Sequence, residues 1–476
     1  MQAPSTAVMA KSAVWYTVSN FVTKALGFLT VPIFSRVMNQ ADYGSYGTFT
    51  SMLSVMLILT GFDAYSSVIR RKHDVEGDMD SYILSVLAVN TVVTLIFYVL
   101  FLVFPDLYCD IFKVNRLCIN IMFLYLVTVP AFNLICTWQR AYYKYKTFVV
   151  LTTLISVGAV AMSLAFALTA SDRLTARIVG QYLPGILVGG GLFAYIIGRG
   201  KRVKLAHCRY VLRLCVPLLP HLLSLFILTS SNMVVLSWLC GSETAAVFSV
   251  ANSAANIATI LFDSANKAWA PWLLDNLEAK REDSIRRVSN FYLVLLLLVV
   301  FLVCAFGPEI IYILGGDAYE AAVYVMPLLL MGCAFKVAYT MYVNVEFYEK
   351  KTGITAVATL FAAALEIAIS IPLAVQFGYI GAGVASLLGY LLLLVAHYIG
   401  VCRMGREKVF DRKVMFGGLG VLFVGLCVLV VLYQISLLRY AFLAAIVASL
   451  VVAATRSRCT LHEALDKFQG RRRRSR

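Results

Sequence analysis

SAVWYTVSNFVTKALGFLTVPIFSRVMNQADYGSYGTFTSMLSVMLILTGFDAYSSVIRRK, residues 12–72, holds the pattern on which the reading of the whole chain rests. An apolar run from about residue 12 to 37 meets a short polar turn, Asn39 to Asp42. A second run from about 43 to 69 then ends on Arg70, Arg71 and Lys72. Each run is long enough to cross a hydrocarbon layer of about 30 Å as a helix. The turn between them holds an acid and no cation, whereas the far end is basic. Segments that go out and come back should show this asymmetry, because Lys and Arg are retained on the cytoplasmic side.

The pattern repeats along the chain. Further apolar runs are predicted near 81–104, 117–139, 148–170, 174–198, 211–239, 244–270, 288–314, 320–346, 352–375, 378–402, 413–433 and 437–455, fourteen in all. Of the 41 Lys and Arg, 32 fall in one set of connections and in the terminal segments, and the opposite connections hold five: Lys113, Arg116, Arg173, Arg177 and Arg439. Both termini are therefore expected to be cytoplasmic in a multi-pass protein of an inner, cytoplasmic membrane. The first run is long for the apolar core of a cleavable leader and is interrupted by Lys24, so it is read as a membrane helix. The remaining four cations, Lys24, Arg36, Lys267 and Lys336, lie within the runs or at their ends.

Composition agrees. Hydrophobic residues make up 61% of the chain, and the mean hydropathy of +0.83 excludes a soluble globular protein. The net charge of +16 follows from orientation and contact with anionic lipid, so no nucleic-acid partner is expected. The eleven cysteines are scattered without Cys/His spacing for a metal, and are read as reduced apolar side chains. No cofactor or metal is expected. Short loops leave no room for a nucleotide-binding domain, and no phosphate-binding Gly-Lys motif is present. They also leave no long external loop with paired carboxylates, as a membrane-embedded glycosyltransferase or polymerase would need. The chain is therefore expected not to be an enzyme, and no catalytic residue is assigned.

A weak repeat at an offset of about 200 residues relates the two halves. Asn39–Tyr46 and Gly241–Phe248 are short acidic turns that lead into small-residue helix starts, and Phe62-Asp63 is echoed by Phe262-Asp263. The expected architecture is all-α and polytopic, with two six-helix lobes. Residues 1–205 form the N-lobe, 206–405 the C-lobe, 406–456 two appended helices and 457–476 a basic cytoplasmic tail. A site between like lobes near the midplane, served by alternating access, follows from such a repeat.

The segment from Thr23-Lys24 through Leu26-Gly27, Phe34-Ser35-Arg36 and Asp42-Tyr43-Gly44-Ser45-Tyr46 resembles the opening of the Wzx-like polysaccharide flippases of the MOP exporter superfamily. Val247–Asn252 resembles the start of their second lobe. The resemblance covers the whole chain in topology and about 60 residues in motif. It implies export of a polyprenyl-diphosphate-linked oligosaccharide from inner to outer leaflet, beside glycosyltransferases and a polymerase of the same pathway. The chain departs from the lipid II flippase of this superfamily in carrying one central cation, Lys24, in its first helix.

Moving such a cargo is a problem of solvation: a diphosphate head must cross a layer in which an uncompensated charge is costly. Lys24 and Lys336, both at mid-helix, are the first candidates for lining a polar cavity. Glu366 is the structural partner expected for Lys336, and its protonation would release that lysine. Arg36 and Lys267 are further candidates for substrate contact. Arg36 is equally well explained by reaching the outer headgroups, and Lys267 by an ion pair with Asp263 four residues earlier. Asp63, Asp263, Glu366 and His221 are candidates for coupling or gating, with the coupling ion left open. Ser19, Asn20, Thr23, Ser230, Ser231 and Asn232 suit either sugar hydroxyls or interhelical hydrogen bonds. The competing reading is a drug/cation antiporter of the same superfamily. It calls for an acid within the first helix, where this chain has Lys24 and none.

Overall fold

The computed structural model describes residues 6–74, 78–142, 144–200 and 202–445. The basic tail and the end of the last expected span lie outside them. The first half comprises α1 Thr6–Val37, α2 Gln40–Gly61, α3 Ser67–Asp74, α4 Met79–Val103, α5 Pro105–Phe112, α6 Arg116–Ala141, α7 Tyr145–Thr169 and α8 Arg173–Arg199. The second comprises α9 Leu205–Cys215, α10 Leu219–Leu239, α11 Ser242–Glu278, α12 Glu282–Ala305, α13 Gly307–Gly315, α14 Ala322–Tyr348, α15 Thr352–Arg403 and α16 Arg412–Leu432. A last helix, α17, runs Ser436–Ala445. No strand occurs among the described residues.

Among the described residues ten helices are long and apolar enough to cross a membrane, or eleven when α2 is joined to the segment Ala64–Arg71 bent 48° from it. With α1, the second arm of α15 and α17 standing at three further expected positions, this is roughly consistent with the fourteen expected spans. The arms of α15 meet at Gly378, whose φ of +57° a side chain would resist. The connection between the runs expected near 81–104 and 117–139 is largely the short helix α5, started by Pro105 at its first position.

Packing divides these helices into two bundles. In the first, α6, α7 and α8 pack together, α1 lies along α7, and α4 covers α6. In the second, α14 is the centre, flanked by α15, α11 and α12, with α16 closing against α12 and α14. The central position of α14 shows in its burial: 78% of its apolar window is buried, against 11% for α7. The outer helices expose apolar stripes at helical spacing, such as Val92, Leu95, Ile96 and Val99 on α4 and Val150, Leu154 and Val157 on α7. Such stripes suit hydrocarbon, which competes for no hydrogen bonds.

The lobes meet where α2 crosses α10 and α11. At the end bearing the Asn39 turn (the turn end, as opposed to the basic end) Gly44 lies against the Ser242 carbonyl, where a Cβ would come within 1.7 Å of that oxygen. Ser45 donates to Ser242 across 3.1 Å beside it. Asn39 caps α2 by accepting from the Asp42 amide at 2.7 Å.

Candidate functional site

Three charges converge between the lobes. Lys24 of α1 lies 3.5 Å from Asp263 of α11, and Lys336 of α14 lies 3.8 Å from the other oxygen of the same carboxylate. The Lys336 ammonium also stands 5.9 Å from the centre of the Phe262 ring. One carboxylate thus bridges a cation from each lobe, leaving a net positive charge. The side chains remain 47%, 36% and 24% exposed for Lys24, Asp263 and Lys336, so the bridge is partly solvated surface. Partly exposed pairs of this kind contribute only about 0–1 kcal/mol each, so an incoming anion can displace Asp263 cheaply.

α11 separates two chambers that lie on the turn-end side of this bridge. On its C-lobe face Asn252, Asn256 and Thr259 line a cavity of about 270 Å³ with Lys336, Asn232 and Tyr390. On its N-lobe face Ser249 and Ser253 line a cavity of about 430 Å³ with Thr23, Gln181, Tyr182 and Arg177. The two polar faces are readable in α11 as positions 252, 256, 259 and 263 and positions 249 and 253, two stripes at helical spacing. That signal would have found Asn252 and Asn256, which the single-residue reading missed.

Arg177 was also missed, because its place just after a turn suggested a loop cation. It points inward from α8 and is 5% exposed. Its guanidinium carbon lies 3.5 Å from the centre of the Tyr46 ring, 4.1 Å from that of Phe34 and 5.1 Å from that of Tyr43. Nη1 approaches the Met38 thioether at 3.4 Å.

Glu366 is not the partner of Lys336. It is 1% exposed and faces α10, where Asn232 donates to it at 2.9 Å. Asn232 also donates to Ser386 at 2.8 Å and accepts from Ser370. The reason is angular: Lys336 turns toward α11, whereas the first arm of α15 presents Glu366 to α10. A second buried carboxylate, Glu346, holds His397 at 3.0 Å and accepts from Thr355 at 2.7 Å; neither had been singled out.

Arg36 is exposed at the turn end of α1. It donates to the carbonyls of Tyr312 and Ile313 at 2.8 Å, at the C-terminus of α13 in the opposite lobe. Cations suit that end of a helix dipole. Ser35 donates to Leu314 beside it, and Tyr43 packs edge-on against Tyr319. Lys267 is exposed and makes no salt bridge with Asp263, which is engaged by Lys24 and Lys336 instead. Asp63 does not mirror Asp263: it caps a 3-10 turn at the break after α2 in a left-handed conformation and accepts from Ser66 at 2.7 Å. His221 sits at the start of α10, with Nδ1 buried and unpartnered. Ser19 and Thr23 of α1 bond Thr152 and Ser156 of α7 at 2.8 and 3.2 Å, as interhelical ties. Among the described residues no cluster suits a metal ion.

A two-lobed, all-helical bundle with a charged bridge between its lobes and a polar chamber on either face of α11 defines a multi-pass membrane transporter. The family model described as "Polysaccharide biosynthesis protein" matches residues 9–277, more than half of the chain, and the chain belongs to that family. Its fold is similar to that of "Lipid II flippase MurJ, inward closed conformation", at 14% identity over 92% of this chain and 100% of that one, with a TM-score of 0.66. It is also similar to a "multidrug resistance MATE family transporter of the MOP superfamily" in an inward-facing conformation. That match has 13% identity, covers 81% of this chain and 98% of the other, and has a TM-score of 0.58. At these identities the likeness shows the fold alone, and the family match bears out the polysaccharide-exporter resemblance read from the sequence. No curated protein sequence matches the chain.

Proposed function

We propose that this transporter is a flippase, moving a polyprenyl-diphosphate-linked glycan from the inner to the outer leaflet of a cytoplasmic membrane. The observation that carries the reading is the Lys24–Asp263–Lys336 bridge. A diphosphate entering between the lobes replaces the Asp263 carboxylate and gains both ammonium groups, while Asp263 moves away. The glycan occupies the polar chambers along α11, and the polyprenyl tail stays in lipid. Flipping then needs the turn end to part, breaking the Arg36 contacts with α13, and the lobes to close behind the cargo. Glycosyltransferases that make the cargo and a polymerase that extends it are the partners this implies. The chemistry needs no covalent step.

An antiporter of cationic drugs fits less well, because α1 offers Lys24 and no acid to such a cargo. The test is deletion of the gene with lipid-linked intermediates followed by leaflet. Accumulation on the inner face, rescued by the wild-type chain but not by Lys24→Ala or Lys336→Ala, is the expected result. A normal leaflet distribution together with drug sensitivity overturns it in favour of the antiporter.

A further inference from the structure

We propose that the N-lobe chamber receives an acidic sugar of the cargo, with Arg177 binding its carboxylate. This rests on the glycan-flippase reading and goes beyond it by naming a second, separate anion site. Three other cations within the bundle have a carboxylate: Lys24 and Lys336 share Asp263, and Arg439, 2% exposed, is paired with Glu309. Arg177 has no carboxylate partner among the described residues, and its buried Nε lacks a hydrogen-bond partner. A charge taken out of water without a counter-charge is costly, and the surrounding rings offset only part of that cost. The arrangement is therefore incomplete until an anion arrives.

The chamber around it suits a sugar better than a simple ion. Its volume of about 430 Å³ is in the range of small-molecule pockets. Thr50, Gln181, Ser249 and Ser253 offer hydroxyl and amide groups, while Tyr125 and Tyr182 offer aromatic surface to the C–H face of a pyranose. The two rings stand edge to face, 5.0 Å apart. A guanidinium, with donors arranged in a fixed fork, matches a carboxylate in two-point fashion. Phe34, beneath Arg177, is ten residues along α1 from Lys24, or about 15 Å. A head group seated at the bridge therefore leaves room for uncharged sugars before the acidic one.

The test uses the full chain purified in lipid nanodiscs, with a trisaccharide containing one hexuronic acid, its carboxyl-reduced counterpart and a long-chain polyprenyl diphosphate as probes. The acidic trisaccharide should bind about tenfold more tightly than the reduced one. Arg177→Gln should abolish that preference and Arg177→Lys should keep part of it, both in monodisperse samples. Should Arg177→Gln fail to fold, Gln181→Leu provides the second arm, weakening both trisaccharides alike. Equal affinity for the two trisaccharides in the wild type overturns the proposal, as does a preference that survives Arg177→Gln. Displacement by inorganic phosphate at equal concentration also overturns it, since the site would then select charge and not sugar. Polyprenyl diphosphate binding reports on the bridge: if present without acid preference, only this inference fails, and if absent, the flippase reading fails too.

Discussion

The two chambers flanking α11 solve the burial of positive charge differently. On the C-lobe side Lys336 is partly exposed and balanced by a carboxylate that it shares with the opposite lobe. On the N-lobe side Arg177 is almost wholly buried and lies against aromatic rings with no acid near it. The first arrangement is easily exchanged, because solvent screens it and each contact is long. The second is held in place by the rings around it, and in the proposed reading it receives the carboxylate of the cargo. A carboxylate shared between lobes suits a gate, and an arginine set among aromatic rings suits recognition.

Lys336→Ala and Lys24→Ala are expected to have the largest effect. Losing a charge-assisted contact of about 1.5–3 kcal/mol lowers translocation about 10- to 100-fold, as measured by leaflet assay of the lipid-linked intermediate. Wild-type rates in both variants would erase the distinction between the chambers. Asp263→Asn sharpens it in the other direction. Without the competing carboxylate, polyprenyl diphosphate should bind more tightly in equilibrium titrations while net translocation slows, a split that a purely structural aspartate does not produce.

The closure above both chambers should respond to smaller changes. Gly44→Val places a side chain against the Ser242 backbone, where overpacking costs about 1–3 kcal/mol. Its melting temperature should fall, and a cysteine at position 45 in a cysteine-free background should label faster with maleimide. Arg36→Ala removes the contacts with the α13 carbonyls, about 0.5–1.5 kcal/mol each, and should raise labelling at the same position.

The smallest expected effect lies outside the chambers. At the basic end Lys204 lies 2.5 Å from Asp78, with His207 at 3.0 Å. The Lys204 ammonium, then Ser81 and His207, hold that carboxyl well below the usual range. A lowered pKa stabilises the fold above the unfolded value of about 4 and loses that contribution as pH falls toward the folded one. The melting difference between wild type and Asp78→Asn should therefore persist at pH 5 and shrink below about pH 4. It should be no more than about 1 kcal/mol, since the pair is partly exposed.

Span length and alternating charge reveal the helices because both are local, repeated signals. Partners across the bundle are not local. Asp263 meets Lys24 from 239 positions away and Lys336 from 73, and no periodicity links them. Glu366 was paired with Lys336 because both lie at mid-helix, yet depth says nothing about rotation around a helix axis. Arg177 was lost to the opposite error. Its position near a turn located the span end correctly, but a residue one turn into α8 faces whatever α1 and α2 present. The repeat shows the same limit: Phe62-Asp63 and Phe262-Asp263 match in sequence, yet one stands at a helix break and the other within an unbroken helix.

That unbroken helix has a mechanical consequence. At 37 residues α11 is about 55 Å long, well beyond the thickness of the hydrocarbon layer. Its overhang works as an oar handle, and the blade is the partition common to both compartments. A push on the handle shifts both compartments together, and in the proposed function this would join the loading of the sugar and the release of the phosphates in a single stroke.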